Sequence, residues 1–437
     1  MAHYAETLLA ALACQTAGTP GIWPEISTDP VLGSRLRLLE VLRACAGAAA
    51  PADGAAPAHL GALRATVRTA LEGSRRSRTK PWALVNLLAE HALLEARFGE
   101  RRDAQAAVRS LVALQSPDGS FYGNPLCTSL ALLALTEISP GAAARHRCRA
   151  HLLGTQHADG TWRFVTTDVW DTQLLVRALR GEPEFDSRAL GRALEFLYAA
   201  QRPDGGWPCG PGLESDNDTT ASVLIALAGL PDTTDAVQRA LGHLAREQNE
   251  AGLWPTWQSA DDPPTPDVVA HVLTALDRYQ GRHLVPTDAA RRWIAEYALA
   301  AEGGWAAGWY HGTPYAVCEI APALPAGHHA VKAELDRLAA AQQDDGSWEP
   351  TPGVGSTPSA TGLALTALAK APAGRGRRTG AAVSYLAATQ RDDGSWPGRA
   401  EMYGPRPLLS HIHTQTQAFT VMGLRAAREQ LRRSPGS

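Results

Sequence analysis

Lysine is nearly missing from this chain. Only three of its 41 basic residues are lysines, and the resulting Arg- and Ala-rich bias is compositional and carries no functional signal. Charge is sparse: 19% of residues are charged, with a net charge of -3. No basic tract is long enough to follow a nucleic-acid backbone, which excludes nucleic acid as a partner. The densest positive cluster is Arg75, Arg76, Arg78 and Lys80. No apolar run reaches the length of a membrane span. The start, Met1-Ala2-His3-Tyr4, has no basic region followed by an apolar stretch, so no signal peptide is expected. The six cysteines are scattered, without a C-x-x-C pair or a zinc pattern with nearby histidines. That points to reduced thiols and a cytoplasmic protein, with peripheral membrane association as the alternative.

Apolar mass and repetition are present instead. The chain has 437 residues, 45% of them apolar, enough for one large repeat fold plus a second module. One signature recurs: Gln, two residues, an acidic residue, Gly, one residue, an aromatic. Copies run from Gln115 to Phe121, Gln156 to Trp162, Gln201 to Trp207, Gln342 to Trp348 and Gln390 to Trp396. Gln248 to Trp254 departs at the acidic position, Glu302 to Trp305 has lost its Gln, and Gln15 to Trp23 is a frayed copy. Six of the twelve tryptophans end a copy, which makes the motif a structural device. Each copy follows an apolar helical pattern and precedes a second one, so one repeat is a pair of helices. Asp-Gly supplies a tight turn. The Gln amide is expected to cap the neighbouring helix and the indole to stack on it. Such pairs bury their apolar faces only by stacking or closing into a ring.

Residues 29–110 are less regular. Gly47 to Pro57 reads as a surface loop or linker, and Pro81 opens a helix after Thr79-Lys80. The tail from Arg428 to Ser437 reads as a fraying helix end and a disordered terminus.

One stretch departs from scaffold: Asp216-Asn217-Asp218-Thr219-Thr220-Ala221, after a Gly/Pro-rich loop and before an apolar run. Taken alone it is a helix N-cap. Two carboxylates buried together cannot easily both ionise, however, so one keeps its proton. A protonated carboxylic acid facing an apolar cavity is what protonation of an alkene requires. His271 lies one turn after Asp267 on the same helix face. It is either a structural histidine or the donor that steadies the acid's conjugate base. Trp170 is either core or a ring that stabilises a carbocation by cation–π attraction. Trp257, Trp309 and Tyr310 are weaker candidates for that role, and Trp254 belongs to the scaffold. Asp261-Asp262-Pro-Pro-Thr-Pro-Asp267 is read as a loop, because its prolines prevent the helical spacing that would converge carboxylates on a metal.

These residues together resemble class II terpene cyclases of the squalene–hopene cyclase superfamily. The resemblance rests on the Gln-x-x-Asp-Gly-x-Trp repeats, Val169-Trp170-Asp171-Thr172, Asp216-Asn-Asp218-Thr-Thr-Ala221, Asp267-Val-Val-Ala-His271 and Ser356-Thr357-Pro358-Ser359-Ala-Thr361, in the family's order. It runs clearly from Gln115 onward. It implies an all-α fold of βγ architecture: an α/α toroid, the β domain, joined to a smaller helical γ domain, with a cavity at their interface. The implied division is 1–28 as an N-terminal segment of the β domain, 29–164 as a reduced γ domain and 165–437 as the β domain. It implies Asp218 as general acid, with Asp216 beside it, His271 as its hydrogen-bond partner and Trp170 as a cation-stabilising ring. Thr219 and Thr220 enter the candidate substrate site with Trp257, Trp309 and Tyr310. Thr219 stands where the family has its last Asp. A D-x-D-T-T pattern is associated with cyclases of the drimenyl diphosphate type, which act on farnesyl diphosphate and keep the diphosphate. Members that use prenyl diphosphates use Mg2+, and Arg75, Arg76, Arg78 and Lys80 are the candidate diphosphate anchor. Cyclisation of geranylgeranyl diphosphate or of a squalene-like polyprene, and a non-catalytic toroid that binds a lipid or partner, are the alternatives. A prenyltransferase zinc site is excluded because no Asp-x-Cys occurs.

Overall fold

The structure, a computed structural model, describes residues 33–45, 56–74, 80–139, 141–156, 162, 167–231, 233–257, 263–301, 303–325, 327–369, 376–403 and 409–433. The expected segment 1–28, the frayed copy at 15–23, residues 47–55 of the linker, Arg75, Arg76, Arg78, residues 157–161 of the second copy, Asp261, Asp262, Glu302 and the last four residues lie outside these. Chain contacts divide the described residues into two units. One holds those before Thr167 together with Gly212–Glu214. The other holds Thr167–Pro211, the described residues from Ser215 to Tyr403, and those from Leu409 onward.

The first unit is built from α1 (Gly33–Cys45), α2 (Ala56–Ser74), α3 (Pro81–Phe98), α4 (Arg101–Leu114), α5 (Pro125–Ile138) and α6 (Ala143–Gly154). Ala56 and Pro57, expected in a linker, open α2 instead. Pro81 starts α3, where its missing N–H has no intrahelical partner to lose. α3 packs on α2, α4 and α5. It buries two carboxylates, and earlier helices neutralise both: Arg37 reaches Glu90 at 2.7 Å and Arg64 reaches Glu95 at 2.6 Å. Either carboxylate left unpaired would be a strongly destabilising buried charge.

The second unit alternates two kinds of helix. α7 (Asp168–Leu179), α9 (Asn217–Leu227), α11 (Pro266–Arg278), α13 (Thr313–Ile320), α15 (Pro358–Leu368) and α17 (His413–Arg433) pack each on the next, and α17 packs back on α7, closing a ring. α8 (Gly191–Ala200), α10 (Thr234–Glu247), α12 (Asp288–Ala300), α14 (His329–Ala340) and α16 (Gly376–Thr389) lie outside it. Burial follows sequence pattern. α10 buries one stripe (Ala236, Val237, Ala240, Leu241, Leu244), as an amphipathic outer helix should. α9 and α15 are buried on nearly every side. An antiparallel pair, β1 (Met402–Tyr403) and β2 (Leu409–Ser410), precedes α17. α17 continues to Arg433, through part of the tail expected to fray.

The repeat motif acts through hydrogen bonds. The last four carbonyls of a helix have no intrahelical donor. The indole N–H of each described repeat tryptophan donates to one of them, in the helix just before: Trp162 to Leu152 at 2.7 Å, Trp207 to Leu197 at 2.6 Å, Trp254 to Leu244 at 2.8 Å, Trp305 to Ala298 at 3.3 Å, Trp348 to Leu338 at 2.7 Å and Trp396 to Leu386 at 2.8 Å. The Gln amide donates to its own turn and to the next helix, as Gln201 does to the carbonyls of Gly205 at 2.9 Å and Ala236 at 2.8 Å. The turn aspartate accepts the N–H of the residue before the tryptophan, as in Asp204 to Gly206 at 3.0 Å. In the copy lacking that acid, Asn249 accepts the corresponding N–H, from Leu253, at 2.9 Å.

Candidate functional site

α9 starts at the acidic stretch, and the two aspartates take different jobs. Asp216 has the extended backbone of an N-cap and pairs with Trp207 in an isolated antiparallel bridge. Its carboxylate accepts the N–H of Thr219 at 2.5 Å and the Thr219 hydroxyl at 2.9 Å. The cap reading therefore holds for Asp216. Asp218, one step inside the first turn, is buried, and its Oδ1 lies 2.6 Å from Nδ1 of His271 on α11. Asn217 between them is pinned by the carbonyls of Thr256 and Pro255.

His271 is held from both sides. Its Nε2 lies 2.9 Å from Oε2 of Glu319 on α13, and Arg177 on α7 donates to both Glu319 oxygens at 3.0 and 3.2 Å. Four inner helices thus contribute a row in which Asp218, His271 and Glu319 are buried and Arg177 is half-buried. Burial alone would lower the His271 imidazolium, but the Asp218 and Glu319 carboxylates outweigh it and hold it at about 10. Burial pushes Asp218 up, and the His271 charge and hydrogen bond pull it partly back. Burial and then the neighbouring Asp218 charge push Asp216 well up, against the two Thr219 donors. Glu319 goes the other way: burial would raise it, but Arg177 and His271 hold it well below the usual carboxylate range.

His271 pairs with Asp218 as expected, and Asp267, one turn earlier on the same helix, has a separate role. The Asp267 carboxylate accepts the backbone N–H groups of Gly308 at 2.9 Å and Trp309 at 3.0 Å, fixing the turn ahead of Tyr310. Trp170, half-buried, lies 6.0 Å from the His271 ring. Trp257 meets Trp309 edge-on at 4.9 Å, and the Trp309 indole donates to Thr256 at 2.8 Å. Tyr310 stacks on Tyr315 at 4.6 Å and donates to Glu401 at 2.7 Å. Lys80, the described member of the basic cluster, sits just before α3 with its ammonium 5.6 Å over the Trp82 ring.

Comparison within the ring separates scaffold from chemistry. Thr357 caps α15 as Asp216 caps α9, each nine residues past a repeat tryptophan. Trp348 N–H donates to Thr361 at 3.1 Å, just as Trp207 N–H donates to Thr220 at 2.9 Å. Thr220 is thus a scaffold position, and the Thr219 hydroxyl is committed to Asp216. Ser359, the counterpart of Asp218, donates with Thr357 to the buried Glu401.

Residues 255–429 match the family described as squalene-hopene cyclase C-terminal domain. The matched stretch carries His271, Trp309, Tyr310, Glu319 and Glu401, and Asp218 comes before it. Two curated relatives are named drimenyl diphosphate synthase. The one from Streptantibioticus cattleyicolor is 33% identical over 196 residues, 41% of this chain and 36% of the relative. The one from Streptomyces showdoensis is 28% identical over 344 residues, 72% of this chain and 61% of the relative. The chain therefore spans less than two thirds of either relative's length. The ent-copalyl diphosphate synthase from Streptomyces platensis shares the fold over 96% of this chain and 91% of its own, with a TM-score of 0.58 and 19% identity. The type II terpene cyclase MstE from Scytonema does so over 64% of this chain and 96% of its own, with a TM-score of 0.51 and 19% identity. The all-α toroid expected from the repeats is the observed architecture.

Glu319 and Arg177 escape the sequence reading. The available signal was weak: one acid in the apolar run Ala316, Val317, Cys318, Ile320, and one base in Leu174, Leu175, Val176, Ala178. A charge in a buried apolar helix needs a partner, but the sequence does not say which.

Proposed function

We propose that this chain is a class II terpene cyclase that protonates the terminal alkene of a linear prenyl diphosphate, with farnesyl diphosphate the best candidate. The observation that carries the reading is Asp218: a buried carboxyl, raised by burial, 2.6 Å from a cationic His271. The Asp218 proton passes to the alkene carbon, and the O–H electrons stay on the carboxylate, which the imidazolium stabilises. The cation left on the chain is attacked by the next alkenes, closing two rings, and loss of a C–H proton ends the sequence. The C–O bond to diphosphate is not broken, so a drimane-type product keeps its diphosphate. Trp170, beside His271, suits cation stabilisation worth about 2 kcal/mol or more when desolvated. Trp257, Trp309 and Tyr310 complete the proposed aromatic lining. Asp216 serves by fixing the turn that presents Asp218. Arg75, Arg76, Arg78 and Lys80 are the proposed diphosphate anchor. Among the described residues no group of His, Cys, Asp or Glu is placed to hold a metal ion, so Mg2+ is proposed only as the diphosphate's companion. No described helix is long and apolar enough to cross a membrane.

The test is incubation with farnesyl diphosphate, geranylgeranyl diphosphate and squalene, with Mg2+, with and without phosphatase before extraction. A bicyclic alcohol from farnesyl diphosphate, extractable only after phosphatase and absent with Asp218→Asn, is the expected result. A hydrocarbon from squalene with no turnover of either diphosphate would overturn the substrate assignment.

A further inference from the structure

We propose that Glu319, held by Arg177, is a positioning residue that keeps His271 doubly protonated and so decides which oxygen of Asp218 carries the reactive proton. The word "reactive" rests on the function proposed above, whereas the protonation state does not.

A neutral imidazole has one donor and one acceptor nitrogen, and an imidazolium has two donors. His271 has a carboxyl oxygen on each side, Asp218 Oδ1 at 2.6 Å and Glu319 Oε2 at 2.9 Å. Glu319 already accepts from the Arg177 guanidinium at 3.0 and 3.2 Å and from the Cys318 thiol at 3.7 Å. An ionised carboxylate only accepts, so Nε2 must carry a hydrogen. That leaves two arrangements at Nδ1. If the ring were neutral, Nδ1 would accept the Asp218 proton, trapping it between Oδ1 and the ring. If the ring is cationic, Nδ1–H donates to Oδ1, and the acid proton must sit on Oδ2. The surrounding charges favour the second. Asp216 and Asp218 belong to α9, Asp267 to α11, Glu319, Cys318 and Tyr315 to α13, Arg177 to α7, and Cys209 to the preceding loop. Two carboxyl groups touch the ring directly, and the guanidinium facing this cluster is already paired with Glu319. Glu319 therefore does from behind the histidine what no residue of the acidic stretch can do: it prevents the ring from acting as a base toward Asp218.

The test combines a spectroscopic and a kinetic readout on the full chain labelled with 15N-histidine. His271 is assigned by difference with His271→Gln. At about pH 8 an ordinary histidine is neutral. Wild-type His271 is expected to show both nitrogens protonated there, and Glu319→Gln to lose that signature. Its kcat on farnesyl diphosphate should fall tenfold or more with KM within twofold, and Glu319→Asp should restore part of both. A neutral His271 in the wild type at that pH overturns the proposal, even if the Gln variant fails to fold. So does a Gln variant that keeps the imidazolium and its kcat. If the wild type turns over no prenyl substrate, the functional reading fails, while the spectrum of His271 still decides this inference.

Discussion

A carboxyl can protonate an alkene only if it keeps its proton at neutral pH and its conjugate base is stabilised once the proton leaves. Asp218 combines both conditions, through burial and through His271. Turnover depends on the protonated acid, so kcat should decline as pH rises through its raised value. A pH–rate profile measures this, and a loss confined to the acid side would contradict it. Asp218→Asn should abolish turnover, since an amide has no such proton, while circular dichroism and the melting temperature stay near wild type. His271 makes a stability prediction of definite sign. Its folded value, about 10, lies above the ordinary 6.5. The folded state thus binds the proton more tightly, and the contribution is complete below about 6.5 and lost between there and about 10. In thermal melts, the gap between wild type and His271→Gln should narrow across that window, and a widening gap would refute the assignment. Glu319→Leu leaves the half-buried Arg177 without its carboxylate and should destabilise the fold, by less than the roughly 3–5 kcal/mol of a fully buried pair broken on one side, measurable by urea unfolding.

At the scale of elements, the repeat is a device for finishing helices. Its tryptophan meets a carbonyl that the preceding helix cannot satisfy, its glutamine ties the turn to the following helix, and its aspartate closes the turn. Trp207→Phe keeps the apolar bulk but leaves the Leu197 carbonyl buried without its indole donor. It should cost about 1–3 kcal/mol in denaturant titration. The first copy is the natural control, since Phe121 has no N–H to give and is nonetheless fully buried. The turn glycine has a double reason. Gly205 has φ +86, and a Cβ there would meet the Arg239 carbonyl oxygen at 2.4 Å. Gly205→Ala should therefore destabilise by more than the roughly 1 kcal/mol of an ordinary loop glycine replacement.

At the scale of the whole molecule, the second unit depends on closure of its ring. The acid, its histidine, the glutamate and the arginine come from α9, α11, α13 and α7, successive inner helices separated widely in sequence whose side chains meet within the ring. The seam between α15 and α17 uses glycine to bring backbones together: a Cβ on Gly362 would lie 2.3 Å from the Phe419 carbonyl oxygen, and one on Gly423 2.4 Å from that of Gly362. Gly362→Val should push these helices apart. The expected result is a lower, broader thermal transition together with reduced turnover, although the substitution is remote in sequence from Asp218. Unchanged stability would mean that the seam tolerates separation.

The sequence by itself determined what depends on local pattern. Six indoles ending the repeat copies, four of them after an Asp-Gly turn, required helix pairs that bury their apolar faces by stacking or closing into a ring. Asp216 read as a cap is a cap, because N-cap chemistry involves only residues three apart. Asp218 and His271 were legible as a pair through the motifs around them. Three features were decided only by tertiary structure. Asp267, one helical turn from His271, turned to the Gly308 and Trp309 amides, because backbone donors in a buried turn must be satisfied from somewhere. Thr220 became a scaffold acceptor, which its counterpart Thr361 makes plain only when the two helices are compared in space. Glu319 and Arg177, 142 residues apart in sequence, found each other because two charges folded into an apolar ring are stable only as partners. Their partners are set by which helices the closed ring makes neighbours, and no local pattern carries that information.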